Sequence, residues 1–197
     1  MQNINLVYID DIIDPNISKY LSSYKPSDVN IKYDELKFEL NNGYESLINN
    51  SLVRTANVIL IDSTLFQNST AANGKYTGEQ FKLILRKIFP YIEVIVITQN
   101  EITGEFSSTI PKFSPRKDNS AEEYYSKLLP TKIEPAIKSI CEYRDIITEI
   151  KPDTNTSMLI EKINNSLDGI EVYDELKKSD IDAIVEAFKK LQENLDE

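Results

Sequence analysis

The chain has 197 residues, 41% of them hydrophobic, and a net charge of −10 from 22 Lys+Arg against 32 Asp+Glu. That is core enough for one α/β domain with an appendage, and the acidity disfavours nucleic acid as a partner, because duplex binding draws most of its affinity from Lys and Arg neutralising phosphates. The single Cys141 excludes an internal disulfide, the absence of His removes the commonest general base and argues against structural zinc, and no apolar run approaches the roughly 18 residues of a membrane span.

No basic stretch leads into a signal-like apolar segment near the start, so a cytoplasmic protein is expected. Ile4 to Ile9 is apolar enough for a buried strand, and it runs straight into Asp10 and Asp11. Ile13, Ile17, Tyr20, Leu21 and Tyr24 then recur at helical spacing before Pro26. Val29 to Tyr33 alternates like a strand, and Asp34 to Leu40 either extends it or opens a helix. After the Asn42-Gly43 turn, Tyr44, Leu47, Ile48, Leu52 and Val53 mark a helix face. A second buried run, Val58 to Ile61, ends in Asp62.

Residues 67 to 78 form a polar stretch longer than the usual connection of about 2–6 residues. Phe81, Ile84, Leu85 and Ile88 predict a helix stopped at Pro90, and Val94 to Thr98 a strand ending in a hydroxyl. This alternation predicts a parallel sheet. Thr109 to Phe113 reads as a short edge strand, where Pro111 is tolerable. Asn119 to Glu149 reads as helix, interrupted or kinked near Pro130 and Pro135, with Cys141 at core-packing spacing. The pattern divides the chain into an α/β domain, 1–150, and a helical extension, 151–197, joined by a linker from Lys151 to Ser157.

The two runs that end in carboxylate carry the chemistry. An acid just past a buried parallel strand lies at the carboxyl edge of the sheet, where open α/β folds bind ligands. Asp10, Asp11 and Asp62 meeting there would repel one another without a divalent cation, and oxygen ligands favour Mg²⁺ or Mn²⁺ over zinc. The same residues admit plainer roles: Asp10 and Asp11 as caps of the helix near Ile13, Asp62-Ser63-Thr64 as a turn, and Lys112 as an exposed lysine.

In order and spacing these residues resemble the receiver domain of bacterial two-component response regulators, over about residues 4 to 149. Asp10 and Asp11 match the acidic pair after the first strand, Asp62 the phosphoacceptor, Thr98 the hydroxyl after the fourth strand and Lys112 the lysine after the fifth, with Lys117 a competitor. Asn42-Gly43-Tyr44-Glu45-Ser46-Leu47 is similar to the family's entry to its second helix. The resemblance implies a flavodoxin-like, doubly wound parallel sheet with a C-terminal helical extension. It implies Mg²⁺ held by Asp10, Asp11, Asp62 and a main-chain carbonyl near Thr64, and phosphorylation of Asp62 by a partner histidine kinase. Phe66 stands where the family has proline, the Pro111-Lys112 order is reversed, and little chain separates Thr98 from Lys112, which points to a divergent or pseudo-receiver. A protein-contact adaptor with a vestigial site is the alternative function, and a small-molecule hydrolase is weaker for want of a base beyond carboxylate and lysine.

Residues 151–197 carry 6 Lys+Arg against 12 Asp+Glu, which argues against a DNA-binding output. Helical spacing recurs at Met158 to Leu167 and again at Ile181 to Leu195, where Ile181, Ile184, Val185, Phe188, Leu191 and Leu195 form an apolar stripe. That stripe either docks on its own domain or forms a homodimer or partner-binding helix.

Overall fold

The computed structural model describes residues 1–39, 41–66, 76–99, 109–115, 120–151 and 157–170. Five strands form one sheet: β1 (Gln2–Asp10), β2 (Val29–Lys37), β3 (Val58–Asp62), β4 (Glu93–Thr98) and β5 (Thr109–Pro111). All pairings are parallel, in the order β2-β1-β3-β4-β5. This is the flavodoxin-like order, in which the chain reverses its direction of travel across the sheet between β1 and β3.

Strand periodicity splits the core into two halves. Ile4, Leu6 and Tyr8 of β1, Val58 and Leu60 of β3, and Ile95 and Ile97 of β4 face one side. There they meet α1 (Pro15–Ser23), α5 (Ala121–Leu128), α6 (Pro130–Glu149) and Leu167 of α7 (Ser157–Leu167). Val7 and Ile9, Ile59 and Ile61, and Val94 and Val96 face the other side, packed by α2 (Tyr44–Ile48), α3 (Ser51–Arg54) and α4 (Gly78–Ile88). With apolar side chains on both faces, these strands read as continuous hydrophobic runs rather than alternating ones.

Several boundaries differ from expectation for local reasons. β2 continues to Lys37, because every residue from Gln2 to Asp10 has a partner across the ladder, ending with Asp10 opposite Lys37. The helix face after Gly43 is two short helices, divided where the Asn50 side chain accepts from Leu52 N at 2.9 Å and starts the second. The long C-terminal helix is interrupted at Leu129-Pro130 and then runs through Pro135, which lacks the N–H for one intrahelical bond. β5 stops at Pro111, an edge position where that missing donor is harmless. Among the described residues no helix is long and apolar enough to cross a membrane.

α7 is held at the amino edge of the sheet, opposite the carboxylates. The Leu167 carbonyl accepts from Asn57 Nδ2 at 2.8 Å, from Arg144 Nε at 3.1 Å and from Arg144 Nη2. Arg144 Nη1 also donates to the Asn3 carbonyl at 2.9 Å. Gly169 ends the helix with φ +68°, and its amide and that of Ile170 return to the Ser166 and Asn165 carbonyls. A Cβ there would lie 2.6 Å from the Thr55 carbonyl oxygen, so glycine is required twice over. The stripe from Ile181 to Leu195, Phe188 included, lies outside the described residues.

Candidate metal and phosphoacceptor site

Strand register brings the acidic residues together. Ile9 pairs with Ile61 across the β1–β3 ladder, so Asp10 and Asp62 leave the sheet side by side. Asp10 is 1% exposed and Asp62 2% exposed. One carboxylate oxygen from each of Asp10, Asp11 and Asp62 lies within 4.8 Å of the other two. On the far side, Thr98 pairs with Pro111, and Lys112 N donates to the Thr98 carbonyl at 2.6 Å. The Lys112 side chain, 9% exposed, therefore reaches back over the sheet edge to Asp62 Oδ1 at 2.7 Å and Asp10 Oδ2 at 2.9 Å.

The electrostatics follow from this enclosure. Burial pushes the Lys112 ammonium down, but its hydrogen bonds and attraction to Asp62 and Asp10 outweigh burial and hold it above its ordinary value. Among the described residues, three carboxylates against one ammonium leave the cluster two positive charges short of neutrality. A divalent cation is the natural complement, and hard oxygen ligands suit Mg²⁺. The residues present thus fit the expected ion.

Other site groups are placed by the turn that follows β3. Asp62 Oδ2 accepts from Thr64 N at 2.7 Å and from Thr64 Oγ1 at 2.5 Å. The turn-forming role expected of Asp62-Ser63-Thr64 therefore falls to a carboxylate that also belongs to the acidic cluster. Ser63 is buried, and its hydroxyl donates to Thr98 Oγ1 at 2.7 Å. The helix-cap alternative for Asp10 and Asp11 gives way to Asp14, whose side chain accepts from Asn16 N at the start of α1. Lys112 is not an exposed lysine, and Lys117 lies outside the described residues.

α4 closes the site from behind. Thr77 caps it in a reciprocal box with Gln80, and Gly78 N donates to the Ser63 carbonyl at 2.9 Å. A Cβ on Gly78 would lie 2.8 Å from both the Asp62 carbonyl oxygen and Ser63 Cα, so the backbone itself would have to move. Gly78→Ala is therefore expected to cost about 1–3 kcal/mol, read as a lower melting temperature. An unchanged melting point would mean that α4 can retreat freely from the turn.

Two participants escaped the sequence reading. Tyr8 is fully buried, and its hydroxyl donates to Asp10 Oδ2 at 2.5 Å. Ser63 stands in the sequence pattern only as part of a turn. Their signals were present in principle: Tyr8 stands two residues before Asp10 and so shares its face of the strand, and Ser63 directly follows the last residue of β3.

No protein-family model matches the chain, and no curated protein does. Among solved structures it is similar to the RcsB response regulator of Salmonella typhimurium, with 18% identity over 88% of this chain and 95% of that one and a TM-score of 0.44. It is also similar to RcsB from Salmonella enterica serovar Typhimurium bound to promoter rprA in the presence of phosphomimetic BeF3−, with 18% identity, coverage of 83% and 88%, and a TM-score of 0.41. A two-component response regulator RcsB–DNA complex matches at 18% identity, 87% and 95% coverage, and a TM-score of 0.38. Likeness of that degree identifies neither a family nor an activity.

Proposed function

We propose that the chain is a receiver-type signalling module that accepts a phosphoryl group on Asp62 from a phosphohistidine of a partner kinase. The observation that carries this reading is the Lys112 ammonium bridging Asp62 at 2.7 Å and Asp10 at 2.9 Å, at the carboxyl edge of a 2-1-3-4-5 sheet with a third carboxylate beside them. Thr64 donates two hydrogen bonds to Asp62 Oδ2, which orient the carboxylate so that Oδ1, beside Lys112, is the nucleophile. Its P–O bond forms as the P–N bond of the donor breaks, and the leaving imidazole keeps the electron pair. Lys112 stays beside the product as a counter-charge, and Thr98 supplies a hydroxyl near the phosphoryl oxygens. Mg²⁺ on Asp10, Asp11, Asp62 and a main-chain carbonyl near Thr64 would supply charge neutralisation between the carboxylates and the incoming group.

In this reading the output is a protein contact rather than DNA, in keeping with the net charge of −10 and the acidic excess after residue 151. A second reading, a pseudo-receiver adaptor, is favoured by one observation. Only ten residues, 99–108, separate β4 from β5, short of the dozen or so that a helical crossover between parallel strands usually takes.

Acetyl phosphate with Mg²⁺ is expected to add one phosphoryl group, detected by intact mass, and Asp62→Asn to abolish the adduct. Wild-type protein that stays unmodified while a control receiver is labelled would favour the adaptor. An adduct that survives Asp62→Asn would place the acceptor elsewhere.

A further inference from the structure

We propose that Tyr8 is a positioning residue that sets the cation preference of this site, holding Asp10 so that it offers the ion one oxygen and thereby favours Mg²⁺ over Ca²⁺. The inference rests on the reading of Asp10, Asp11 and Asp62 as a cation site.

The direction of the hydrogen bonds is forced by chemistry. The Tyr8 hydroxyl accepts from Asp14 N at 3.3 Å, and a backbone amide can only donate. Its own proton therefore goes to Asp10 Oδ2, an acceptor, at 2.5 Å. Lys112 Nζ takes the second lone pair of Asp10 Oδ2 at 2.9 Å. Among the described residues, Asp10 Oδ1 accepts only the weaker bond from Ile12 N at 3.2 Å, which leaves one lone pair for an ion.

The consequence is a carboxylate whose inner oxygen is filled and whose outer oxygen alone is available. Mg²⁺ takes few protein carboxylates in a rigid octahedron, whereas Ca²⁺ takes about 6–8 oxygens and readily uses both oxygens of one carboxylate. Removing the Tyr8 hydroxyl frees a lone pair on Oδ2 and unlocks the rotation of Asp10. It also loosens the link to Asp14 and the start of α1, a fold effect that must be separated from the cation effect.

Titration calorimetry with MgCl₂ and CaCl₂ on the full chain makes that separation. Tyr8→Phe is expected to weaken Mg²⁺ binding about tenfold, the scale for partners that orient a metal ligand, while Ca²⁺ binding holds or strengthens. Tyr33→Phe, which removes a hydroxyl donating to Glu35 at 2.7 Å on the neighbouring strand, should leave the Mg²⁺ to Ca²⁺ ratio unchanged. If Tyr8→Phe binds both cations as wild type does, or loses both equally, the positioning role is overturned and the cation site stands. Wild-type protein that binds neither cation overturns the site reading and the role of Tyr8 together. Should Tyr8→Phe fail to fold, the hydroxyl proton of Tyr8 in wild type decides by NMR: it is expected to stay protected and shift as Mg²⁺ is added. A resonance unmoved through saturation overturns the proposal.

Discussion

Replacing Lys112 by Met is expected to lower the melting temperature of the metal-free protein by roughly 10 °C. The ammonium is the counter-charge that Asp10 and Asp62 both touch, and those carboxylates are 1% and 2% exposed. Deleting one partner of a buried ion pair leaves an uncompensated charge and costs about 3–5 kcal/mol, and in a chain of this size each kcal/mol is about 2–4 °C. Metal narrows the deficit. A cluster of three carboxylates without its lysine attracts a divalent cation more strongly, and whatever binds only the folded state stabilises it by mass action. Excess Mg²⁺ should therefore raise the melting point of Lys112→Met more than that of wild type. Lys127→Met is the control: its ion pair with Glu123 joins side chains 72% and 63% exposed, where such pairs contribute little. Differential scanning calorimetry in EDTA and in Mg²⁺ would decide, and equal losses in both buffers would show that Lys112 stabilises through packing rather than charge.

Stability is expected to fall steeply above about pH 10, where tyrosine normally ionises. Tyr8 and Tyr125 are fully buried. Burial pushes both hydroxyls up; in Tyr8 the Asp10 charge adds to it, and in Tyr125 the Phe113 N–H works against it while Asp14 adds to it. Tyr24 is pushed up to about 12 by burial and then by Glu134 and Tyr20. A group raised in the folded state contributes stability that is fully present below its unfolded pKa and is lost as pH rises toward the folded one. Below about pH 10 the contribution is thus complete. Above it the unfolded chain releases protons that the folded chain retains, at about 1.4 kcal/mol per pH unit for each group, or about 3 kcal/mol per unit for Tyr8 and Tyr125 together. Lys112, also raised, adds a loss in the same direction. Urea denaturation across pH 8 to 11.5 should be flat at first and then drop, with tyrosinate absorbance rising in the unfolding transition. Tyr8→Phe should shallow the slope by about one group's share. Tyrosines that all titrate near pH 10 while the protein stays folded would contradict the buried network.

The order of elements, the parallel sheet and the placement of Asp10, Asp11 and Asp62 at the ends of buried strands were legible in the sequence. Each depends on local information: apolar runs too continuous for a half-exposed strand, helical spacing between them, and polar residues at run ends. The same locality limits what such a reading reaches. Whether Asp34 to Lys37 was strand or helix depended on a partner strand, since only the β1 ladder satisfies those backbone groups. Asp14 rather than Asp10 capped α1, because at the strand end Asp10 was already engaged by Tyr8 and Lys112.

The burial of Lys112 was decided only by tertiary structure. Nothing next to it in sequence distinguishes it from an exposed lysine. It faces Asp10, 102 residues away, because β5 pairs with β4 in a register that puts Thr98 opposite Pro111. Tyr8 lies inside the apolar run Ile4 to Ile9, and a strand's apolar pattern reports that a side chain is buried, not what its hydroxyl meets. Sequence by itself determined which residues leave the sheet at its carboxyl edge. Strand register and burial decided which of them touch, because contact and desolvation arise only when distant segments are brought together.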